Sequence, residues 1–241
     1  MGRHGTIAGR KSAQDSKRAQ VFTKYSRMIT VAAKAGGDPD YNFALKNAIE
    51  KAKAINMPND NIIRSIKKGT GELEGETYEE SSFEGYGPGG VAIIVEVLTD
   101  NKNRTTSAVR HAFDKCNGNL GTIGCVSYMF SRKGLIDIEK TDTVDEDTLM
   151  EAALEAGADD FVTEEDYYEI ITSTDTFQEV SDALRNAGYV LASADIEFVP
   201  AVEAAPSDEK DIKNLEKLLA MLEEDDDVQN VYHNCSVELE Y

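Results

Sequence analysis

Hydrophobic residues in the N-terminal part of the chain recur every three or four positions, which is the spacing of one buried helix face. Such patterns cover residues 13–35, 38–56 and 58–68, with polar or glycine-containing breaks between them. In the first pattern the apolar positions are Val21, Phe22, Tyr25, Met28, Ile29, Ala32 and Ala33. Three short helices with facing apolar stripes predict a small helical bundle.

The pattern changes further along the chain to short apolar runs that alternate with helical segments. Residues 69–80 are rich in glycine and acids and have no apolar period, so they are predicted to form a linker. Val91–Thr99 is β-branched and continuous, which predicts a buried strand, and Cys125–Ser131 alternates as a strand does. Residues 134–200 have the order β-α-β-β-α-β, which is typical of a ferredoxin-like unit. The segments on either side complete a second copy.

These elements predict an α+β protein with an N-terminal three-helix bundle and two ferredoxin-like β-α-β-β-α-β domains, one inserted into the other. The bundle is expected over residues 1–75. The discontinuous α+β domain is expected over residues 80–132 plus 200–241, and the inserted domain over residues 133–199.

Charge is divided unevenly between the bundle and the remainder of the chain. The 241 residues have a formal net charge of −20. Residues 1–70 contain 14 Lys and Arg against 5 Asp and Glu, a net charge of +9, whereas residues 71–241 have a net charge of −29. Such asymmetry indicates a nucleic-acid-facing module joined to a part that polyanions avoid.

The positive charge of the first helix lies on one face. At about 100° per residue, Lys17, Lys24, Arg27 and Lys34 fall within an arc of roughly 100°, separate from the apolar arc. This face is expected to point to solvent and to contact phosphates, whereas Arg18 lies on the apolar side. A merely solubilising lysine face is the alternative. The candidate nucleic-acid-binding residues are Arg10, Lys11, Lys17, Arg18, Lys24, Arg27 and Lys34.

A glycine-rich stretch at Gly85–Gly90, "GYGPGG", has the spacing of a dinucleotide-binding loop. In that fold the loop follows a strand and opens a helix, whose N-terminus meets the phosphates. Here the stretch precedes a strand instead, which predicts a tight glycine-proline turn. An enzyme that binds nucleotides through this loop remains the alternative.

The polar stretch Thr99–Thr105, "TDNKNRT", lies between a predicted strand and a predicted helix. Asn103 is expected to cap that helix. The alternative is an anion contact made by Arg104 at the helix start.

Other residue types indicate little further chemistry. Cys116, Cys125 and Cys235 are odd in number and far apart, so no disulfide framework, zinc site or other metal site is expected. Acidic runs such as "LEEDDDVQ" are interpreted as solvated surface or as a contact for a basic partner protein. No cofactor is expected. Without a long apolar run or an apolar leader, no membrane partner is expected and a cytoplasmic location is predicted.

Long stretches of the chain resemble the YebC/PmpR family. The similarity runs end to end and is carried by "RKSAQDSKRAQVFTKYSRMITVAAKAGGDPDYNFALKNAIEKAKAINMPNDNIIRSIKKGTG", "FEGYGPGGVAIIVEVLTDNKNRTTSAVRHAFDKCNGNLG" and "VSYMFSRKG". The resemblance implies an N-terminal helical bundle, two α+β domains and no enzymatic activity. Two turns match the family pattern, so Gly87, Pro88, Asn103 and Arg104 form a candidate secondary surface.

The resemblance implies a regulator of gene expression, because the family includes bacterial DNA-binding transcriptional regulators. It also includes a mitochondrial translational activator of cytochrome oxidase and bacterial members linked to the ribosome and to proline-rich stalls. We therefore predict a non-enzymatic, DNA-binding transcriptional regulator. The alternatives are a ribosome-associated translation factor that binds RNA beside basic ribosomal proteins, and a protein-interaction module that uses the acidic faces.

Overall fold

The protein combines helices with two four-stranded antiparallel sheets, which confirms the predicted α+β class. The computed structural model describes the backbone of residues 4–240 and the side chains of residues 18–240. In chain order the elements are α1 (His4–Ala32), α2 (Phe43–Ala54), α3 (Asn59–Gly69), β1 (Glu79–Tyr86), β2 (Ala92–Thr99), α4 (Lys102–Lys115), β3 (Asn119–Leu120), β4 (Phe130–Glu139), α5 (Glu146–Glu155), β5 (Asp160–Thr163), β6 (Tyr167–Thr172), α6 (Phe177–Asn186), β7 (Ser193–Pro200), α7 (Glu209–Glu223) and β8 (Val228–His233).

Contacts divide the chain into two compact units. One consists of Met1–Val126 with Ala204–Tyr241, and the other is Ser127–Glu203. The first unit therefore contains both the N-terminal helices and a sheet made of strands from two parts of the chain. The division into three domains stays a prediction.

The three N-terminal helices predicted from the apolar spacing are confirmed. α1 begins at His4, earlier than predicted, and is extended by a short 3-10 helix at Ala33–Ala35. α1 packs against both α2 and α3. Their shared core consists of Ile29, Ala33, Leu45, Ala48, Ile49, Ala52, Met57 and Ile62. The burial of these residues explains why the apolar positions recur with a helical period.

α1 and α3 approach each other closely at Gly69. A Cβ atom at this position would collide with the carbonyl oxygen of Thr30 and would lie 2.6 Å from the Cβ of Ala33. Only a residue without a side chain fits there without moving one helix away from the other.

The sheet of the first unit has the strand order β3-β1-β2-β8. β1 and β2 form a central antiparallel hairpin, and β8 pairs antiparallel with β2. α4 and α7 contact each other, and a shared core joins their apolar residues to β2. Phe113, Leu215, Leu218 and Leu219 are fully buried in this core.

Two predictions for this sheet are wrong. β1 begins at Glu79 and was not predicted, because its sequence, "EESSFEGY", has little β-branched or apolar character. Cys125–Ser131 is not a strand, since a 3-10 helix occupies Ser127–Met129 and β4 begins at Phe130. The part of the first unit that follows α3 therefore has the order β-β-α-β-α-β and not the predicted β-α-β-β-α-β.

The second unit, residues 127–203, has the strand order β5-β6-β4-β7, with every neighbouring pair antiparallel. Its elements follow the predicted order β-α-β-β-α-β along the chain. α5 and α6 contact each other, and α6 also contacts β4. Their buried residues include Ile136, Ile170, Leu149, Phe177 and Leu184.

Candidate nucleic-acid interface

The C-terminal half of α1 lies against the acidic loop between α7 and β8. Arg27 is the centre of this contact: its Nη1 lies 2.7 Å from Oδ1 of Asp227, and the two side chains are only 12% and 5% exposed. Arg27 Nη1 also donates to the backbone carbonyls of Asp226 and Leu98. The expectation that this face of α1 points to solvent is therefore wrong for Arg27.

Asp227 also accepts hydrogen bonds from the strand-to-helix turn after β2. Nη2 of Arg104 lies 2.8 Å from Oδ2 of Asp227, and the hydroxyl of Thr105 lies 2.7 Å from the same oxygen. Thr99 contributes a longer hydroxyl contact of 3.2 Å. Burial raises the pKa of Asp227, but the hydrogen bonds from Thr105 and Arg104 and the charge of Arg27 outweigh it, so the pKa is lowered overall.

Two lysines of the predicted basic face also donate to the chain itself. Nζ of Lys24 lies 2.7 Å from the carbonyl oxygen of Glu223, and Nζ of Lys34 lies 2.7 Å from the carbonyl oxygen of Tyr78. The pKa of Lys24 is lowered overall, because the effect of burial exceeds the opposite effect of the nearby carboxylates of Glu223 and Asp226. The acceptors lie outside α1, so the sequence of the helix alone does not reveal them.

The remaining candidates of α1 lie toward its N-terminus. Arg18 is exposed, and its guanidinium lies 5.3 Å from the ring centroid of Phe22 in a cation–π contact. This position agrees with the expectation that Arg18 lies beside the apolar stripe. The side chains of Arg10, Lys11 and Lys17 lie outside the described residues.

α3 carries an exposed basic face that is not among the predicted binding residues. Arg64, Lys67 and Lys68 are all exposed. They lie three and four residues apart, a spacing that places them on one side of the helix. Among residues 18–240, none of the ion pairs includes one of these three side chains. Their spacing opposite Ile62 and Ile66 was the signal in the sequence that could have identified them.

A pocket of about 300 Å³ lies between α1 and α3. Its cationic lining residues are Arg27, Arg64 and Lys68, and the aromatic ring of Tyr78 also lines it. The remaining lining residues are Phe22, Thr23, Ser26, Thr30, Asn61 and Ser65. Positive charge is thus concentrated where the two helices meet.

The candidate secondary surface does not come together as one site. Gly87 and Pro88 are buried at the start of β2, in a turn closed by a 2.7 Å hydrogen bond from Gly87 N to Val91 O. Asn103 and Arg104 follow the other end of β2. The strand of eight residues therefore separates the two halves of the predicted surface.

The glycine-rich stretch forms a tight turn that leads into β2, and no α-helix begins there. Gly89 has a φ of 70°, a conformation that favours glycine, and a Cβ there would lie 2.6 Å from Pro206. A Cβ at Gly87 would lie 2.8 Å from Ile93. Tight packing of the turn accounts for Gly87 and Gly89.

The prediction that Asn103 caps α4 is wrong. The helix begins at Lys102, and the side chain of Asn101 accepts a hydrogen bond of 3.1 Å from the backbone N–H of Arg104. Asn103 lies within the first turn and is exposed. Asn101 and Asn103 both stand before an apolar helical pattern in the sequence. That pattern does not show at which of the two the backbone becomes helical.

In the described part of the chain, no group of three or more His, Cys, Asp and Glu side chains is placed to hold a metal ion. Cys116, Cys125 and Cys235 are free thiols, and burial raises the pKa of Cys116. Over the same residues, every helix is too short or too polar to cross a bilayer.

Two family models match nearly the whole chain. The model described as the TACO1/YebC protein N-terminal domain matches residues 3–72. The model described as the TACO1/YebC second and third domain matches residues 78–235.

Curated relatives and a solved structure are similar over the same length. A probable transcriptional regulatory protein of Clostridioides difficile is 59% identical over 239 residues, which cover 99% of this chain and 100% of the relative. One of Clostridium novyi is 54% identical, with 98% and 96% covered. The crystal structure of a conserved hypothetical protein from Aquifex aeolicus aligns with a TM-score of 0.83 at 46% identity, covering 94% of this chain and 93% of that one.

Proposed function

Because this chain belongs to the TACO1/YebC family, we propose that it is a regulator of gene expression that binds nucleic acid through its N-terminal helices. The regulatory role is supported by relatives named probable transcriptional regulatory proteins, at up to 59% identity over essentially the full length. Duplex DNA is the proposed polymer, and the cytoplasm is the proposed location. The protein is proposed to act by binding and not by catalysis.

One observation carries the binding proposal: Arg64, Lys67 and Lys68 form an exposed face of α3 and make no ion pair within the described residues, in a segment of positive net charge within a chain of −20. Cations displace the counterions condensed on a nucleic acid, and this release drives binding. The negative charge after residue 70 repels the same polymer. Binding is therefore confined to the N-terminal helices.

The cations of α1 divide into two groups with different roles. Lys24, Arg27 and Lys34 donate to acceptors within the chain, so they hold α1 in place and contribute less to binding. The phosphate contacts come chiefly from the N-terminal part of the helix and from the exposed face of α3. These residues are Arg10, Lys11, Lys17, Arg18, Arg64, Lys67 and Lys68. Phosphate contacts position the polymer and carry no sequence information.

The test compares two double charge reversals of equal size. Lys17→Glu with Arg18→Glu alters the proposed face, whereas Arg110→Glu with Lys115→Glu alters exposed positions on α4. Fluorescence anisotropy with duplex DNA and with single-stranded RNA measures the affinity over a salt series. The first variant is expected to weaken binding and to reduce the slope of log K against log salt by about two units, at about one per phosphate contact. The second is expected to match the parent.

The outcome distinguishes the candidate functions. Equal binding by both variants and the parent would contradict the proposed face and would favour a protein-interaction module. Tight RNA binding without measurable duplex DNA binding would replace the DNA proposal with the RNA-binding alternative.

The ferredoxin-like arrangement is also kept as a proposal, for the unit formed by residues 127–203. The strand order β5-β6-β4-β7 and the contact between α5 and α6 support it. Placement of these two helices on opposite faces of the sheet would contradict it.

A further inference from the structure

We infer that the pocket between α1 and α3 is a binding site for a phosphate group. Three cationic side chains, Arg27, Arg64 and Lys68, line its volume of about 300 Å³, and no acidic side chain is among its described lining residues. The inference adds a specific ligand site to the proposed function. It rests on the proposed function only if the phosphate belongs to a nucleic acid.

Arg27 provides the first observation in favour of an anion. Its Nη1 is bound to Asp227, but its Nε is buried and lacks a hydrogen-bond acceptor within the described structure. Buried polar groups in folded proteins almost always have a partner. Because Arg27 lines the pocket, an anion that binds there is the natural acceptor for its guanidinium group.

The polar neighbours of Arg27 make a neutral ligand a poorer fit. The hydroxyls of Thr23, Thr30 and Ser65 already donate to backbone carbonyls of their own helices. The hydroxyl of Tyr78 donates to Glu76, while the Tyr78 ring lies 5.3 Å from the guanidinium of Arg27. The donors that remain for a ligand are the cationic groups, the hydroxyl of Ser26 and the side-chain amide of Asn61.

Arg64 and Lys68 supply the second observation. They are four residues apart on α3, so they project from the same side of the helix toward one ligand. Both are exposed and make no ion pair within the described residues. The charge of Arg27 is balanced by Asp227. Arg64 and Lys68 therefore give the pocket a net positive charge that suits a phosphate.

The close approach of α1 and α3 fixes the pocket before a ligand arrives. Gly69 brings the end of α3 against Thr30, and the hydroxyl of Thr30 reaches the carbonyl of Ser65 on α3 at 3.2 Å. Arg27 is held by Asp227 on its other side. A preorganised site loses less conformational freedom on binding than a flexible one.

The phosphate can come from two sources: the end or backbone of a nucleic acid, or a free phosphate or mononucleotide. The test uses the full chain and titrates inorganic phosphate by calorimetry at constant ionic strength, with chloride as the replaced anion. Saturable binding with a Kd of about 1 mM or tighter is expected. The double variant Arg64→Ala with Lys68→Ala is expected to weaken it by about tenfold or more, since two charge-assisted contacts are lost.

The control removes the same charge elsewhere: Arg110→Ala with Lys115→Ala is expected to bind phosphate as the parent does. Thermal unfolding shows whether each variant is folded, and phosphate is expected to raise the midpoint of the parent and the control but not that of the pocket variant. No saturable binding by the parent, or equal affinity in the pocket variant, would overturn the inference.

Oligonucleotides of one sequence, with and without a 5′-phosphate, distinguish the two sources. A higher affinity for the phosphorylated form that disappears in the pocket variant assigns the pocket to a nucleic-acid end. Equal affinities that fall together in the pocket variant assign it to the backbone of a nucleic acid. Equal affinities that are unchanged in the pocket variant, together with phosphate binding by the parent, assign it to a free phosphate compound. Nucleic-acid binding that persists when the parent fails to bind phosphate would overturn the pocket and leave the proposed function intact.

Discussion

Arg27 of the N-terminal helix lies 2.7 Å from Asp227, a residue 200 positions further along the chain. Asp227 simultaneously accepts from Arg104 and Thr105, so one buried carboxylate joins α1, the start of α4 and the loop before β8. The positive helix is therefore attached to the acidic part of the chain by charge as well as by packing.

Removal of this carboxylate is expected to destabilise the protein strongly. Asp227→Ala leaves the largely buried Arg27 without its ionic partner, and loss of one member of a buried pair costs about 3 kcal/mol. Urea unfolding followed by circular dichroism measures the loss. The neighbouring exposed residue gives the control, since Asp226→Ala is expected to change the free energy of unfolding by less than about 0.5 kcal/mol. Equal stabilities of the two variants would contradict a special role for Asp227.

The same carboxylate is expected to contribute to acid unfolding. Its pKa in the folded protein lies below its ordinary value of 3.8, because hydrogen bonds from Thr105 and Arg104 outweigh the effect of burial. A lowered pKa stabilises the fold above pH 3.8, and this contribution is lost as the pH falls through the folded-state pKa.

Urea midpoints of the parent and of Asp227→Asn, measured from neutral pH downward, test this expectation. The difference between the two is expected to stay constant down to about pH 5 and to narrow below the ordinary pKa of an aspartate, 3.8. A difference that instead narrowed between neutrality and pH 5 would contradict the direction of the shift.

The start of α4 offers a matched pair of substitutions. Asn101→Ala removes the side-chain acceptor of the Arg104 N–H and is expected to lower the free energy of unfolding by about 1 kcal/mol. Asn103→Ala changes an exposed residue inside the first turn, where alanine has the higher helix propensity, and is expected to be neutral or slightly stabilising. Chemical denaturation of both variants measures the difference. The reverse order would show that Asn103 is the cap.

The close approach of α1 and α3 gives a steric prediction. A Cβ at Gly69 would meet the backbone of Thr30, so Gly69→Ala is expected to destabilise the bundle by about 1–3 kcal/mol, as overpacking does. Gly75→Ala is the control, because its Cβ would meet only the flexible stem of Lys68 at 3.2 Å. Thermal unfolding compares the two. A Gly69→Ala variant as stable as the parent would contradict the tight packing.

The pattern of apolar residues was sufficient for elements whose burial follows a simple period. Val91–Thr99 is a continuous β-branched run, and it forms a buried central strand as predicted. β1 escaped prediction because five of its eight residues are serine or glutamate, and it is a strand through its pairing with β2 along its whole length. Strand pairing between segments is a tertiary property that no local pattern records.

The candidate site, too, could be predicted only in part from the sequence. The sequence identified the positive charge of the first helix and the acidity of the remainder, and the spacing of Arg64, Lys67 and Lys68 was also present in it. It did not identify which cations have partners. Lys24 and Arg27 reach acceptors that lie about 200 residues away, at Glu223 and Asp227.

Amino-acid order by itself therefore determined the helices, most strands and the uneven distribution of charge, because these depend on periodicity and composition along a short stretch. Only the tertiary structure decided that Arg27 is held by Asp227, and that Gly87 and Asn103 lie beyond opposite ends of one strand. The physical reason is the distance along the chain over which each kind of interaction acts. Helix and strand periods act over a few residues, whereas ion pairs, close helix contacts and pockets depend on which distant segments fold together.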